Sequence, residues 1–517
     1  MPTANENLAV SLKYLQKLQK NEDRVFQSHK LTRVHRERLV RQGFLKSIMD
    51  GWLVSWNPGT TPGDTTQWYV SFWEFCAKYS NKRFGSKWHL SPVQSLLLHA
   101  ENTIIPQQVI IYTTKGSNNK IPLLFGTSLY DLKQKAMPFE EDLIVRAGLP
   151  MFTIPAALIK AGLGFFTNHP VEAQVVLASI HDASDLLRKL IDGGHSTIAG
   201  HFAGAFRSIG KADIADEILT TMKRVGYDVR ERDPFAPQQI FSTTNSTDAP
   251  IVNRLRTLWE TFRTPLIEMS PGTPGQPLDK AAYLSFIDDI YVKDAYHSLS
   301  IEGYRVTDVL IERVRSGVWD PENSHEDSNS RDALAARGYW QAFQLVKQTV
   351  AKVINGESSA ELVRLNHRDW YRELFQPCVD AGLVQASILA GYRNQPVYLR
   401  GSRHIPPRWQ SVQDAIPTLF NLLAEEQEPF VRAVLGHWLF GYIHPYPDGN
   451  GRIARFMMNV MLASGGYPWT IMLAEDRSIY LAALEAASVE NDIKPFARYI
   501  ADRVQHSTEE AAAKTAI

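Results

Sequence analysis

Residues 431–462 read VRAVLGHWLFGYIHPYPDGNGRIARFMMNVML, and this stretch decides the fold of the C-terminal half. Val431, Val434, Leu435, Trp438, Leu439 and Tyr442 recur at helical spacing, so the chain up to Ile443 predicts a helix. Pro445 stops it directly after His444. Asp448-Gly449-Asn450-Gly451 is turn chemistry, and helical character resumes from Arg452 to Met461. The expectation is a helix–loop–helix whose loop offers backbone amides at a helix N-terminus.

Such a loop suits an anion. Free amides and the positive end of the helix dipole face a phosphate, and glycines let it approach the backbone. Arg452 and Arg455 are three apart, hence on one helix face, and can reach one polyphosphate with planar forks. Asp448 offers a hard oxygen ligand for Mg2+, which takes one or two carboxylates plus substrate phosphates. His444 at the loop's entry is the natural general base, because an imidazole titrates near neutrality. It would take a proton from an incoming hydroxyl while the metal and the arginines stabilise developing charge.

Residue by residue, His444 to Arg455 resembles the Fic signature, His-Pro-Phe-x-Asp/Glu-Gly-Asn-Gly-Arg-x-x-Arg, with Tyr446 where Phe is usual. The resemblance implies a protein adenylyltransferase that moves AMP from ATP to a Tyr, Thr or Ser hydroxyl of itself or of a target protein. It implies His444 as catalytic base and Asp448 on Mg2+. It places Asn450 and the amides of Gly449 and Gly451 on the α-phosphate, and Arg452 and Arg455 on the β- and γ-phosphates. Kinase relatives carry a different loop without this Gly-Asn-Gly, so AMP transfer outranks phosphorylation. UMP transfer and removal of AMP from a modified protein stand as alternatives on the same site. No Gly-x-x-x-x-Gly-Lys-Ser/Thr occurs, which argues against a P-loop enzyme.

Residues 297–303 read His-Ser-Leu-Ser-Ile-Glu-Gly. Ser298 and Glu302 are four apart on one helical face, and Gly303 ends the helix. This resembles the inhibitory Ser/Thr-x-x-x-Glu-Gly/Asn motif that some Fic proteins carry ahead of the catalytic core. The resemblance implies that Glu302 pairs with Arg455 and deprives the γ-phosphate of its partner. Residues 392–407 read as a β-hairpin, with Val397-Tyr398-Leu399 as one arm and Gly401-Ser402 as the turn. Fic enzymes clamp the target's backbone on such a flap as an added strand, which gives these residues a target-clamping role by resemblance.

The N-terminal half is less explicit. Between Lys13 and Lys46 there are ten Lys/Arg against three acids, a local charge of +7. A helix over 32–49 followed by the strand Trp52 to Trp56 fits a winged helix, and the charge makes DNA a partner through residues 13–46. The run Leu90-Ser91-Pro92, Leu97-Leu98-His99-Ala100, Ile105-Pro106 and Phe125-Gly126-Thr127-Ser128-Leu129 resembles the AbiEi-like antitoxin and transcription-regulator family. A DNA-binding regulator with a secondary Fic domain is therefore an alternative reading. Ala199, Gly200, Ala203, Gly204 and Ala205 give one helix a small face for close packing. His195, His201 and Arg207 read as structural, with no acids at ligand spacing.

These readings give a mostly α chain with an α+β N-terminal region. A winged helix spans 1–60 and an AbiEi-like region 61–235. A linker and helical lead-in span 236–278, a Fic catalytic domain with its inhibitory helix 279–506, and a fraying tail 507–517. The 517 residues carry 55 Lys/Arg and 55 Asp/Glu, so overall charge says nothing about nucleic acid. Two distant cysteines, Cys76 and Cys378, fit a reducing cytoplasm and argue against a disulfide framework or a zinc site. No signal peptide and no membrane span is expected. A homo-oligomer is compatible with everything above.

Overall fold

Gly43, at φ +75°, marks the end of the basic helix that stops at Arg41. In the computed structural model, which describes residues 3–20, 23–60, 63–236, 249–277, 279–318 and 331–515, the helix expected over 32–49 is thus two elements. The apolar residues beyond the glycine, Leu45 and Ile48, point inward from a strand instead. The correction has a simple cause: a glycine in the left-handed region ends the helix, and the strand that follows carries a bulge between Ser47 and Met49, so that Leu45 and Ile48, three apart, are both buried. The polar run 242–248 and the acidic loop 320–330 lie outside the described residues.

The chain divides into two units, one of residues 1–250 with 398–405, the other of residues 251–397 with 406–517. The first unit starts with α1 (Ala4–Leu18), β1 (Val25–Gln27), α2 (Arg33–Arg41), β2 (Leu45–Met49) and β3 (Trp52–Ser55). Its three strands form an antiparallel sheet in the order β1-β3-β2. Next come α3 (Thr66–Phe84), β4 (Trp88–Leu90), α4 (Pro92–His99), β5 (Gln108–Thr113), β6 (Lys120–Pro122) and β7 (Ser128–Lys133). The second sheet runs β4-β5-β7-β6, with β5 and β7 parallel. β8 (Leu143–Arg146) and β9 (Leu149–Phe152) pair by themselves.

Helices α5 (Ile154–Ala161), α6 (Gly164–Asn168), α7 (Pro170–Ala178), α8 (Ser184–Asp192), α9 (Ser196–Ser208) and α10 (Ala212–Arg224) complete this unit. The small face of α9 is used as expected, but its neighbour is an extended strap. A Cβ on Gly200 would lie 2.0 Å from the Arg230 carbonyl oxygen, and one on Gly204 2.2 Å from that of Arg232. Arg207 is tied to Glu231 and Asp216, and His201 Nδ1 to the Thr197 carbonyl, which gives both structural partners.

The regular elements of the second unit are all helices among its described residues. It comprises α11 (Pro250–Met269), α12 (Lys280–Ile301), α13 (Asp308–Arg315), α14 (Arg331–Val353), α15 (Ser359–Asp380), α16 (Val412–Glu425), α17 (Pro429–Ile443), α18 (Asn450–Ala463), α19 (Arg477–Val489) and α20 (Lys494–Thr515). Two expectations are corrected here. The tail does not fray from 507: α20 runs to Thr515, with Ser507 buried and Glu510 paired to Lys293 at 3.0 Å. The hairpin over 392–407 has no strand. Pro396, Pro406 and Pro407 remove amide donors, and Arg393 takes the carbonyls of Gln395 and Pro407. Only the turn survives, with Ser402 N–H donating to Leu399 O. Val397, Tyr398 and Leu399 are therefore irregular chain, not a strand arm. Among the described residues no helix is long and apolar enough to cross a membrane.

Helices α14 and α15 form a close pair because Gly338 faces the α15 backbone. A Cβ there would lie 2.2 Å from the Leu374 carbonyl oxygen. Gly338→Ala gains helix propensity yet must push the two helices apart, so we expect a loss of about 1–3 kcal/mol in urea unfolding. Unchanged or higher stability would show that the pair is not limited by this contact.

Candidate active site

α17 and α18 are the helices foreseen on either side of the loop. His444 is the C-cap of α17 in left-handed conformation, φ 52° and ψ 60°. A bulky residue rarely adopts that conformation unaided, and Arg393 is what holds it. Its Nε donates to the His444 carbonyl at 2.7 Å, and its backbone N–H donates to Pro445 O at 2.8 Å. Arg393 is 4% exposed and also meets the Ile443 carbonyl, so it satisfies the open C-terminus of α17 with a cation. No pattern in the sequence points to this residue, since its partners are backbone carbonyls some fifty positions away.

Burial pushes the His444 imidazole down to about 4, helped by Arg393 and opposed by the Gly441 carbonyl and by Glu302 and Asp448. The ring is thus neutral at pH 7. Nδ1 lies 3.3 Å from the Gly441 carbonyl, a bond that needs the proton on Nδ1 and so leaves the lone pair on Nε2. That is the protonation state a base requires.

The loop is closed on itself by Asn450. Its Oδ1 accepts from Tyr446 N–H at 2.9 Å and its Nδ2 donates to Tyr446 O at 2.8 Å. Tyr446 anchors the loop in the core, stacked on Tyr371 with ring centroids 3.8 Å apart and planes 6° apart. Its hydroxyl is buried without a hydrogen-bond partner among the described residues. Gly449 is the N-cap of α18 at φ +78°, and a Cβ there would press on Phe375 at 2.8 Å.

Two arginines face this helix start. Arg452 is 1% exposed, its guanidinium between the rings of Phe375 at 5.0 Å and Tyr304 at 5.3 Å. Its Nε and Nη2 have no hydrogen-bond partner among the described residues, and Asp448 stands 3.9 Å away. A buried cation with unmet donors is prepared for an anion. Asp448 is half exposed, and its Oδ1 accepts from Gly449 N–H at 2.6 Å.

Arg455 is occupied at two of its three nitrogens, while its Nη1 is buried without a hydrogen-bond partner among the described residues. Its Nη2 donates to Glu302 Oε1 at 2.7 Å and to the Ser298 carbonyl at 3.1 Å, and its Nε donates to Ser298 Oγ at 2.9 Å. Burial works to raise the Glu302 carboxyl, but Arg455 and Arg452 outweigh it and hold the group below its usual value. Glu302 Oε1 would lie 2.3 Å from a Cβ on Gly451, so the carboxylate rests against the first turn of α18. The carboxylate thus lies at a helix N-terminus beside a guanidinium, a setting that favours an anion.

The turn after α12 delivers this arrangement. Gly303, φ +89°, lets Tyr304 N–H bond back to Leu299 O and Gly303 N–H to Ser300 O, a Schellman closure. Arg477 Nε donates to Ile301 O at 2.7 Å and fixes the same end. One turn therefore sets Glu302 on Arg455 and Tyr304 on Arg452. Ser298, Glu302, Gly303, His444, Asp448, Gly449, Asn450, Gly451, Arg452 and Arg455 are gathered around the start of α18. Val397 lies outside the loop's hydrogen-bond network, and Tyr398 and Leu399 belong to the first unit.

No group of three or more His, Cys, Asp or Glu that could hold a metal occurs among the described residues. Asp448 is the one carboxylate of the loop, which fits a cation whose other ligands come from phosphates and water.

Two outcomes are expected. Tyr446→Phe removes an unpartnered buried hydroxyl, so stability should rise by about 1 kcal/mol or stay level; a clear loss would mean that the hydroxyl is bonded. In a 13C-histidine titration, with His444→Ala assigning the resonance, His444 should remain neutral from pH 8 to pH 5.5 and protonate near 4. A midpoint near 6.5 would mean that the site is open to water.

Residues 359–462 match the family model described as the Fic/DOC family. The chain is 28% identical over 237 residues to a protein adenylyltransferase Fic of Nematostella vectensis, covering 45% of this chain and 51% of that protein. It is 39% identical over 218 residues to one of Drosophila mojavensis, covering 41% and 40%. The chain thus spans about half the length, or less, of these curated relatives. Among solved structures, a Fic-domain signalling protein of Bacteroides thetaiotaomicron aligns at TM-score 0.37 and 21% identity over 50% of this chain and 95% of that one. Fic-1 of C. elegans, residues 134–508, aligns at TM-score 0.37 and 19% identity over 68% of this chain and all of that one. By the family match, the loop from His444 to Arg455 lies within a Fic/DOC region at residues 359–462.

Proposed function

We propose that this chain is a protein adenylyltransferase that is held back by its own Glu302. The observation that carries the reading is the Glu302 carboxylate on Arg455 and against Gly451, in a loop that also holds a neutral imidazole. A protein hydroxyl attacks the α-phosphorus of ATP, its proton passes to His444 Nε2, and the α–β bridging bond breaks to release pyrophosphate. The amides at the start of α18 and the unmet donors of Arg452 take phosphate oxygens. Asp448 would hold Mg2+, which neutralises phosphate charge. Asn450 serves by keeping the loop closed.

The brake follows from competition. A carboxylate and a phosphate oxygen want the same guanidinium edge, so ATP cannot take Arg455 Nη2 while Glu302 is there. Holding transfer down about 100-fold requires about 2.7 kcal/mol between the two arrangements, within reach of a charge-assisted pair. With labelled ATP, Glu302→Gly should raise self-labelling by about that factor, and His444→Ala in the same background should abolish it. Equal labelling in wild type and Glu302→Gly would remove the brake from the reading. Retained labelling without His444 would remove the base.

A second reading concerns the first unit. Helix α2 carries Arg33, Arg36 and Arg41 with the exposed apolar residues Val34 and Val40, next to the β2–β3 hairpin. A helix of this composition beside a wing suits a DNA major groove, with arginines on phosphates and valines against base methyls. For the full chain on duplex DNA, log affinity should fall with log salt, and Arg36→Ala with Arg41→Ala should flatten the slope by about 2. Binding that ignores salt would remove this reading.

A further inference from the structure

Arg455 is 5% exposed, and a guanidinium in that setting needs a counter-charge that does not leave. Glu302 is not that charge if it must move aside for nucleotide. A second carboxylate sits in the same network. Asp294, Ser298 and Glu302 recur every four residues of α12 and its C-cap, so they line one side of the helix. Asp294 is 5% exposed, and both of its oxygens are engaged. Oδ1 accepts from Trp469 Nε1 at 3.0 Å, and Oδ2 accepts from the Tyr339 hydroxyl at 2.6 Å.

The Ser298 hydroxyl acts on the Tyr339 phenol as a nearby donor, easing the upward push that burial and Asp294 give it, and Ser298 Oγ itself accepts from Arg455 Nε at 2.9 Å. Donors and acceptors can be assigned consistently along this chain. The Tyr339 proton is committed to Asp294, so its oxygen accepts from Ser298, whose oxygen accepts from Arg455. Every member is a short side chain or a ring packed in the core: Tyr339 lies 4.9 Å from Phe456, and Trp469 5.0 Å from Phe343, centroid to centroid. The relay reaches Arg455 along its Nε edge, whereas Glu302 holds Nη2.

We propose that Asp294 is a positioning residue for Arg455: through the hydroxyls of Tyr339 and Ser298 it keeps the buried guanidinium in place and charge-compensated while Glu302 and a nucleotide polyphosphate exchange on the other edge. Helix α12 then has two opposed duties four residues to either side of Ser298. Glu302 withholds Arg455 from phosphate, and Asp294 keeps it available once Glu302 departs. The inference rests on the reading of Arg455 as a polyphosphate ligand.

The test uses the full-length Glu302→Gly protein and titration calorimetry with a non-hydrolysable ATP analogue and with AMP. Tyr339→Phe keeps the ring against Phe456 and removes only the relay, and Asp294→Asn removes only the charge, so each covers a folding failure of the other. Each should weaken the ATP analogue about 10-fold and AMP less than 2-fold, and the double variant should be no weaker than the worse single one. Unchanged binding of the analogue in both variants overturns the proposal, and so does a parallel loss for AMP, which would signal general disruption. Arg455→Ala in the same background separates the two levels. If it too leaves the analogue's binding intact, the reading of Arg455 fails and takes the relay with it; if it weakens the analogue while the relay variants do not, the relay alone fails.

Discussion

A buried guanidinium is the constraint on which the site depends. Arg455 sits in the first turns of α18 with almost no access to water, and such a charge is tolerated only when surrounded by acceptors. Those acceptors come from α12: the Ser298 hydroxyl and carbonyl, and the Glu302 carboxylate. The demand of one side chain thus fixes the placement of a helix some 150 residues earlier in sequence.

The rest of the site is arranged so that an anion can arrive. Arg452 is packed against the rings of Phe375 and Tyr304 with donors unmet, which lowers the cost of organising it at the moment of binding. Arg393 satisfies the carbonyls at the end of α17 and so permits the left-handed backbone at His444. Burial then keeps the imidazole neutral. Strain, burial and charge compensation here are one device, because loosening Arg393 would affect both the conformation and the protonation of His444.

The first unit shows how local and tertiary signals compete. The arginine-rich stretch after Thr32 has enough helical periodicity to suggest one long helix, yet Gly43 divides it and the remainder pairs as β2. The stretch 392–407 has the alternation of a hairpin, but three prolines and the acceptor-hungry Arg393 leave no ladder to form. In the same way the α9 glycines announce a close neighbour without saying that it is the extended strap at 230–233.

What the sequence determined by itself was local. The helix–loop–helix, the turn glycines, the spacing of Arg452 and Arg455 and the spacing of Ser298 and Glu302 all depend on residues within one or two turns of each other, where backbone preference and helical period decide the outcome. Even the pairing of Glu302 with Arg455 was legible, through resemblance. Only the tertiary structure decided that Arg393 holds His444, that Asn450 spends its amide on Tyr446, and that Ser298 gives Arg455 both its hydroxyl and its carbonyl. Those contacts join residues from 4 to over 150 positions apart, by way of backbone carbonyls and core hydroxyls. Neither kind of partner leaves a pattern in a sequence, because every residue has a carbonyl and every core has a tyrosine to spare.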